Sequence, residues 1–335
     1  MVTTRDVAAL AGVSSATVSR ALHGHRSISE ATRIKVEQAA AQLGYAPAAH
    51  AATDRARVAV VMPFLDRWYF AQVLDGAERA LADRGILVLI QRLVDLDDRR
   101  RALLGDVPRR EVDGVLLVNV PPAPDEAALL ADRRVPLVLI GASLPGVPSV
   151  EIDDVAAARA ATTHLVELGH RRIGLISGRP FERIPFTAPP ERRRGFLLAH
   201  KQAGLPWDPR LEVTADFTVR GGYRAGRALL AMDIRPTAIF AGSDEMALGV
   251  LAAARDADLR VPEDLSVVGI DDHEMAELAG LTTVAQPVRT LGELAALHLA
   301  GLITHHAEAS VPTRLIVPTM LVVRETTAAP PGGQR

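Results

Sequence analysis

The chain has 335 residues, of which 48% belong to the hydrophobic set and 23% are charged. This balance excludes a disordered chain, and at roughly 100–200 residues per domain the length predicts two or three domains. Cysteine is absent, which excludes disulfides, thiolate nucleophiles and thiolate metal sites. The first residues lack the pattern of a secretory signal, and no apolar run of about 18 residues occurs. We therefore expect a cytoplasmic protein with no membrane partner.

Charge is distributed unevenly, and the N-terminal part is basic. The net charge is −2, yet residues 1–57 contain seven Lys/Arg and four Asp/Glu. Residues 1–46 predict three short helices, because Thr3 or Thr4, then Ser14, then Ser29 can each cap a helix, and Gly12 ends the first one. We expect these helices to form one small domain. Residues 47–57 mix Pro, Ala and charge without apolar periodicity, which indicates a hinge or linker.

From residue 58 to 326 the sequence alternates between aliphatic runs and helical segments. The runs VAVVM (58–62), GVLLV (114–118) and SVVGID (266–271) are typical of strands buried on both faces of a parallel sheet. The alternation occurs twice, which predicts an α/β domain of two Rossmann-like lobes with a cleft between them. We expect lobe 1 to comprise about 58–157 and 288–316 and lobe 2 about 158–287 and 317–326, followed by a disordered tail, 327–335.

The segment 4–22, TRDVAALAGVSSATVSRAL, has the pattern of a helix-turn-helix. Gly12 permits the turn, and the second helix carries short polar side chains that let its backbone approach DNA base edges. Arg20 is suited to a bidentate contact with guanine in the major groove. Taken alone, the same pattern also fits an ordinary pair of packed helices with a polar outer face.

The residues of this segment resemble the LacI/GalR family of bacterial transcription regulators. The matching positions are Asp6-Val7-Ala8, Ala11-Gly12-Val13-Ser14, Thr17-Val18-Ser19-Arg20 and Leu22. The resemblance implies a DNA-binding domain that reads bases through Ser15, Ala16 and Arg20. It also implies contacts to the DNA backbone from a set of hydroxyl-bearing side chains: Thr3, Ser14, Thr17, Ser19, Ser29, Thr32 and Tyr45.

The hinge departs from the family pattern. The family places a leucine after the helical domain that wedges into the minor groove, whereas this chain has no Leu, Ile or Met between Pro47 and Val58 and carries Asp54. A carboxylate there would be repelled by phosphate, so we expect no intercalation of the usual kind. Arg55 and Arg57 are candidates for salt-sensitive phosphate contacts, and a plain solvated linker is the alternative.

The resemblance continues over nearly the whole chain and implies a periplasmic-binding-protein-like effector domain. Ligands in such folds bind outside the carboxyl ends of strands, which points to Asp66, Trp68 and Tyr69 after the first strand. The family's effector contacts correspond here to Arg192, Phe217 and Asp271. Ser243 stands where many members carry Asn. This set suits a sugar or a nucleoside, and a monosaccharide is the first expectation.

The resulting hypothesis is a homodimeric regulator, a repressor in most of the family, that binds a near-palindromic double-stranded DNA operator under control of a small-molecule effector. No cofactor or metal is expected, because adjacent residues such as Asp271 to Glu274 cannot all converge on one ion. No enzyme motif is present, so no catalytic residue is assigned. The alternative is a cytoplasmic solute-binding sensor that acts through protein contacts.

Overall fold

The computed structural model describes residues 3–22, 28–43, 45, 55–106, 112–178, 186–305 and 313–332, without the side chains of residues 19, 20 and 305. Within these ranges the chain forms two compact units, Met1–Ala56 and Arg57–Arg335. Most of the predicted hinge, including Asp54, lies outside the described residues. Among the described helices, none combines the length and apolarity needed to cross a bilayer.

The first unit contains three helices, α1 (Thr4–Ala11), α2 (Ser15–Leu22) and α3 (Glu30–Gln42). The caps predicted at Ser14 and Ser29 are confirmed, and Thr3 occupies the cap position of α1. Asp6 accepts hydrogen bonds from the Thr3 backbone N–H and hydroxyl, both at 2.7 Å. The Ser14 hydroxyl accepts from the Thr17 backbone N–H at 3.1 Å, and that of Ser29 accepts from the Thr32 backbone N–H at 3.3 Å. Each contact satisfies a polar group that the first turn of a helix leaves without a partner.

A small core holds the three helices together. Val7, Val18 and Val36, one from each helix, are fully buried, and alanines fill the space around them. The α1–α2 turn passes through Gly12 at φ +68°, where a side chain would strain the backbone. The Val13 backbone N–H then donates to the Ala8 carbonyl at 3.1 Å, which fixes the tight turn that the motif requires.

The second unit is built on two six-stranded sheets. The first consists, in order across the sheet, of β11 (Arg314–Ile316), β5 (Ser149–Glu151), β4 (Leu137–Ile140), β3 (Gly114–Val118), β1 (Arg57–Met62) and β2 (Leu87–Arg92). All of its pairs are parallel. Its helices are α4 (Trp68–Ala82), α5 (Leu96–Arg101) with a π-helical turn (Ala102–Asp106), α6 (Pro124–Asp132) and α12 (Val288–His305).

The second sheet consists of β12 (Met320–Val322), β10 (Thr282–Ala285), β9 (Ser266–Asp271), β8 (Ala238–Ala241), β6 (Ile173–Gly178) and β7 (Glu212–Ala215). Only the β10–β12 pair among these is antiparallel. Its helices are α7 (Asp154–Glu167), α8 (Ala188–Gln202), α9 (Val219–Leu230), α10 (Asp244–Asp256) and α11 (Glu274–Leu278), with a 3-10 turn (Pro209–Leu211). The central strands are buried along their whole length, as their continuous aliphatic runs predict.

Three boundaries differ from the sequence expectation. Arg57 pairs with Leu87 and its backbone N–H donates to Asp113 at 2.8 Å, so it begins a strand and does not belong to the linker. The lobe boundary near 157 falls inside α7, which packs along the second sheet as one element. The prediction of a disordered tail is wrong for its first residues. The Ala328 carbonyl accepts a hydrogen bond from Ser266 Oγ at 3.1 Å and lies 2.9 Å from His170 Nε2.

Helices α9 and α10 approach so closely that a glycine is required between them. A Cβ on Gly249 would overlap backbone atoms of Val219 and Tyr223 on the facing helix. We predict that Gly249→Ala lowers the free energy of unfolding by about 1–3 kcal/mol, the usual cost of overpacking. Urea unfolding at equilibrium measures this cost. Gly301→Ala is the matched control, since a Cβ at that position would meet no described atom within 4 Å beyond its own stretch of helix. An equal loss in both variants would contradict the close-packing account.

Candidate effector cleft and DNA-binding helices

A cleft lies where the carboxyl ends of strands from both sheets meet. Its lining residues stand within two positions of strand ends: Phe64 after β1, Asn119 after β3, Phe217 after β7 and Gln286 after β10. The cleft encloses about 750 Å³ between its lining atoms, part of it open to solvent. The carboxyl ends of parallel strands are where folds of this kind bind small molecules.

Arg192, on α8, is the buried polar centre of the cleft and is 7% exposed. Its Nε donates to Asp154 Oδ1 at 2.7 Å and its Nη1 donates to the Gly242 carbonyl at 2.5 Å. The same Nη1 lies 3.8 Å from Asp271 Oδ1. These contacts leave little of the guanidinium for an anionic ligand, because its charge is already balanced by two carboxylates.

The acidic side chains of the cleft are held away from water. Burial raises the pKa of Asp271, while Arg192 and a 2.5 Å hydrogen bond from Gln286 Nε2 favour its ionised form. Burial and the charge of Asp271 also raise the pKa of Glu245 to about 7, against the opposing effect of Arg67. The cleft therefore offers carboxylate acceptors to a ligand that donates hydrogen bonds.

Five of the predicted effector residues line the cleft: Tyr69, Arg192, Phe217, Ser243 and Asp271. Tyr69 donates its hydroxyl hydrogen to Asn119 Oδ1 at 3.1 Å. The Ser243 hydroxyl accepts from the Met246 backbone N–H at 3.3 Å and so caps α10. Phe217 lies against Gly178, where a Cβ would overlap the phenyl ring.

Two predicted effector residues do not line the cleft. Asp66 is exposed in the loop before α4. Trp68 is the first residue of α4, and its ring stacks on His273 with centroids 4.7 Å apart. The residue at which a helix begins decides where its first side chains point. The sequence analysis did not fix the first residue of α4, so it could not place Trp68.

The sequence analysis did not identify several residues that line the cleft, among them Asn119, Asp154, Phe186, Glu245 and Gln286. Asn119 directly follows the predicted strand 114–118, so the rule for carboxyl ends of strands would have found it. Gln286 follows β10, a four-residue strand that the sequence analysis did not predict. Within the described ranges, no group of three or more His, Asp or Glu side chains is arranged to hold a metal ion.

The helical unit places the predicted DNA contacts on or beside its helix starts. Ser14, Ser15, Ala16 and Ser29 are exposed, and Thr17 and Thr32 are half-buried. The hydroxyls of Ser14 and Thr17 are 2.8 Å apart, as are those of Ser29 and Thr32. Each hydroxyl pair therefore stands at the amino end of a helix, a position that favours phosphate oxygens.

The remaining candidates are less fully described. Thr3 caps α1, and half-buried Tyr45 packs against the core of the helical unit. Ser19 and Arg20 lie on α2, but their side chains are outside the described set. Arg55 is exposed, and Arg57 is half-buried at the start of β1.

The Glu245 environment generates a prediction about pH. A carboxyl whose pKa rises from 4.5 to about 7 on folding binds its proton more tightly in the folded state. Its contribution to stability is therefore fully present below pH ~4.5 and is lost as the pH rises towards 7. We predict that Glu245→Gln reduces the loss of unfolding free energy between pH 5 and pH 7.5.

Urea unfolding at the two pH values tests this prediction without any ligand. Glu78→Gln is the control, because Glu78 is exposed on α4 and the substitution removes the same charge. An unchanged pH dependence in Glu245→Gln would show that Glu245 is not the group responsible.

Both units of the chain are similar to known protein families. Residues 3–48 match the family model described as "Bacterial regulatory proteins, lacI family", and residues 162–327 match that of a "Periplasmic binding protein-like domain". The transcriptional repressor CytR of Escherichia coli (strain K12) is 36% identical over 306 residues, which cover 89% of this chain and 88% of CytR.

Solved structures agree with these matches. The transcriptional regulator CelR in complex with cellobiose is 35% identical, with a TM-score of 0.70 over 97% of this chain and 100% of that one. The lac repressor dimer bound to operator and the anti-inducer ONPF is 29% identical, with a TM-score of 0.73 over 98% of this chain and 99% of that one.

Proposed function

Because the chain belongs to the LacI family of bacterial regulatory proteins, we propose that it is a transcriptional repressor whose operator affinity is set by a sugar-type effector in the cleft. One observation carries this proposal. The same chain holds a helix-turn-helix with an exposed polar start to α2 and a cleft centred on the buried Arg192. The relatives are named as regulators and repressors, so the protein is a regulator and not an enzyme.

The proposed DNA-binding surface is the start of α2 together with the hydroxyl pairs. Ser15, Ala16 and Arg20 read base edges in the major groove. Backbone contacts come from the other predicted side chains: Thr3, Ser14, Thr17, Ser19, Ser29, Thr32, Tyr45, Arg55 and Arg57. The protein acts as a homodimer on a near-palindromic operator; the related lac repressor is likewise bound to its operator as a dimer. It therefore works in the cytoplasm, where the DNA is.

The proposed effector site uses the cleft residues Tyr69, Arg192, Phe217, Ser243 and Asp271, joined by Glu245 and Gln286. A sugar fits a cleft rich in hydrogen-bond acceptors, and the related regulator CelR has been solved in complex with cellobiose. Binding there changes operator affinity by a coupling of ~1–3 kcal/mol, and the operator must change effector affinity by the same factor.

Selection from a random pool of duplex DNA, at one stated salt concentration near the physiological value, tests the DNA-binding function. Enrichment of a near-palindrome is the expected result. Binding that is independent of sequence and falls with salt would instead favour the alternative, a solute sensor acting through protein contacts.

Arg20→Ala gives a sharper prediction on the selected operator. Loss of a bidentate guanine contact should cost ~1–3 kcal/mol and relax the preference at one base pair per half-site. Lys35→Ala is the control, because Lys35 is exposed on α3 and the change removes the same charge. Titration of both variants against single-base operator mutants measures the difference. A uniform loss across all sequences for Arg20→Ala would make Arg20 a phosphate contact.

A further inference from the structure

The turn that follows β9 carries two side chains that point to different parts of the molecule. Asp271 ends the strand and lines the cleft, where Gln286 Nε2 donates to its Oδ1 at 2.5 Å. Two residues on, the ring of His273 packs against Trp68 of lobe 1 with centroids 4.7 Å apart. We call residues 271–273 the β9 turn. It joins the polar centre of the cleft to a contact between the two lobes.

The backbone of the β9 turn has a conformation that side chains disfavour. Asp271 has φ +141° and Asp272 has φ +58°, and neither residue is a glycine. Such conformations persist only where the surrounding structure holds them, and they concentrate at functional sites. A group outside the turn is therefore needed to fix it.

Asp244, the first residue of α10, supplies that group. Its Oδ2 accepts a hydrogen bond from the His273 backbone N–H at 2.9 Å, and its Oδ1 accepts from the Thr283 hydroxyl at 2.6 Å. The Thr283 oxygen accepts in turn from the Asp272 backbone N–H at 3.4 Å. Two consecutive peptide units of the β9 turn are thus tied to one carboxylate, one directly and one through a hydroxyl.

The protein interior accommodates this carboxylate at a cost. Asp244 and Thr283 are fully buried, and a Cβ on Gly269 of β9 would overlap Asp244 Oδ1. Burial and the charge of Asp271 raise the pKa of Asp244, against the effect of the two hydrogen bonds that it accepts. Because a buried carboxylate without hydrogen bonds is unstable, displacing either donor is unfavourable. The carboxylate therefore holds the β9 turn firmly.

We propose that Asp244 is a positioning residue for the conformational response to the effector: it fixes the β9 turn so that Asp271 faces the cleft while His273 contacts Trp68. A ligand that binds Asp271 then acts on the same short segment that touches lobe 1. Asp244 is not among the residues that line the cleft, so it acts through the turn. This inference rests on the proposed function of the cleft as the effector site.

Hydrogen exchange of the full chain at the β9 turn tests how the turn is held. Thr283→Val keeps the side-chain volume and removes the hydroxyl, whereas Thr283→Ser keeps the hydroxyl and removes a methyl group. We expect exchange at the Asp272 N–H to be at least about tenfold faster in Thr283→Val, because a hydrogen bond to a buried carboxylate is lost, and unchanged in Thr283→Ser. Backbone N–H groups of β8 are the internal reference for global unfolding.

Asp244→Ala removes both acceptors and should accelerate exchange at the His273 N–H by at least the same factor. Asp233→Ala is the control, because Asp233 is exposed in the loop after α9 and the change removes the same charge. Should Asp244→Ala fail to fold, the two Thr283 variants decide between the explanations without it.

The fluorescence of Trp68 reports the other end of the turn. The chain has two tryptophans, so Trp207→Phe leaves Trp68 as the sole emitter. Trp68 is half-buried, and its indole nitrogen is shielded from water. In this background we expect Thr283→Val to shift the emission to longer wavelength, because the contact with His273 loosens and water reaches the ring. Thr283→Ser should leave the emission unchanged.

The selected operator supplies the functional readout. Thr283 lies on β10, outside the DNA-binding helices, so a change in operator affinity must arise in the effector domain. We expect Thr283→Val to change the Kd for the operator at least about fivefold, the lower end of usual couplings between sites, and Thr283→Ser to leave it unchanged.

Three results would overturn the inference. Equal effects of Thr283→Val and Thr283→Ser on exchange and fluorescence would make packing the cause and not the hydroxyl. Exchange at the normal rate in a folded Asp244→Ala variant would show that the carboxylate does not hold the turn. An operator affinity that Thr283→Val leaves unchanged while the turn loosens would separate the turn from the response. Failure of the unaltered chain to select an operator would instead remove the proposed function, and the exchange and fluorescence readouts use neither DNA nor effector.

Discussion

The buried guanidinium of Arg192 is the interaction on which the effector domain depends. It links the start of α7 at Asp154, the end of β8 at Gly242 and the end of β9 at Asp271. A buried charge is tolerated only when it is paired and hydrogen-bonded, and removing one partner of such a pair typically costs about 3–5 kcal/mol. Arginine suits the position because its planar group donates in several fixed directions at once. The shape of the polar end of the cleft follows from this one side chain.

Acidic side chains surround the buried guanidinium in the cleft. The acidic groups beside Arg192 outnumber the cations, and burial raises the pKa of Asp271 and Glu245. Four acidic side chains against two arginines give the cleft an excess of hydrogen-bond acceptors, which a ligand that donates hydrogen bonds can satisfy. A ligand shifts a conformational equilibrium only by the difference between its affinities for the two conformations. The hydrogen bonds that a ligand makes to these acceptors can supply that difference if the cleft changes shape between the conformations.

Much of the fold could be predicted because long-range packing and local pattern agree in the central strands. The strands at 114–118 and 266–271 occur where the sequence analysis placed them. Strands β5, β11 and β12 have three residues each and were missed, because such short segments owe their conformation to partners distant in sequence, as Arg314 to Ser149. Leu10 is an apolar residue of α1 but is 49% exposed, because α1 buries only Val7 and Ala8 in the small core.

The order of strands has a consequence for biosynthesis. Each sheet includes a strand from the last part of the chain, β11 in the first and β12 in the second. Neither lobe can be completed until residues beyond 313 have been synthesised, whereas the core of the three N-terminal helices is formed by residues 7–45. Local contacts form early and distant ones late. A nascent chain on the ribosome thus acquires its DNA-reading helices well before it acquires the cleft that regulates them.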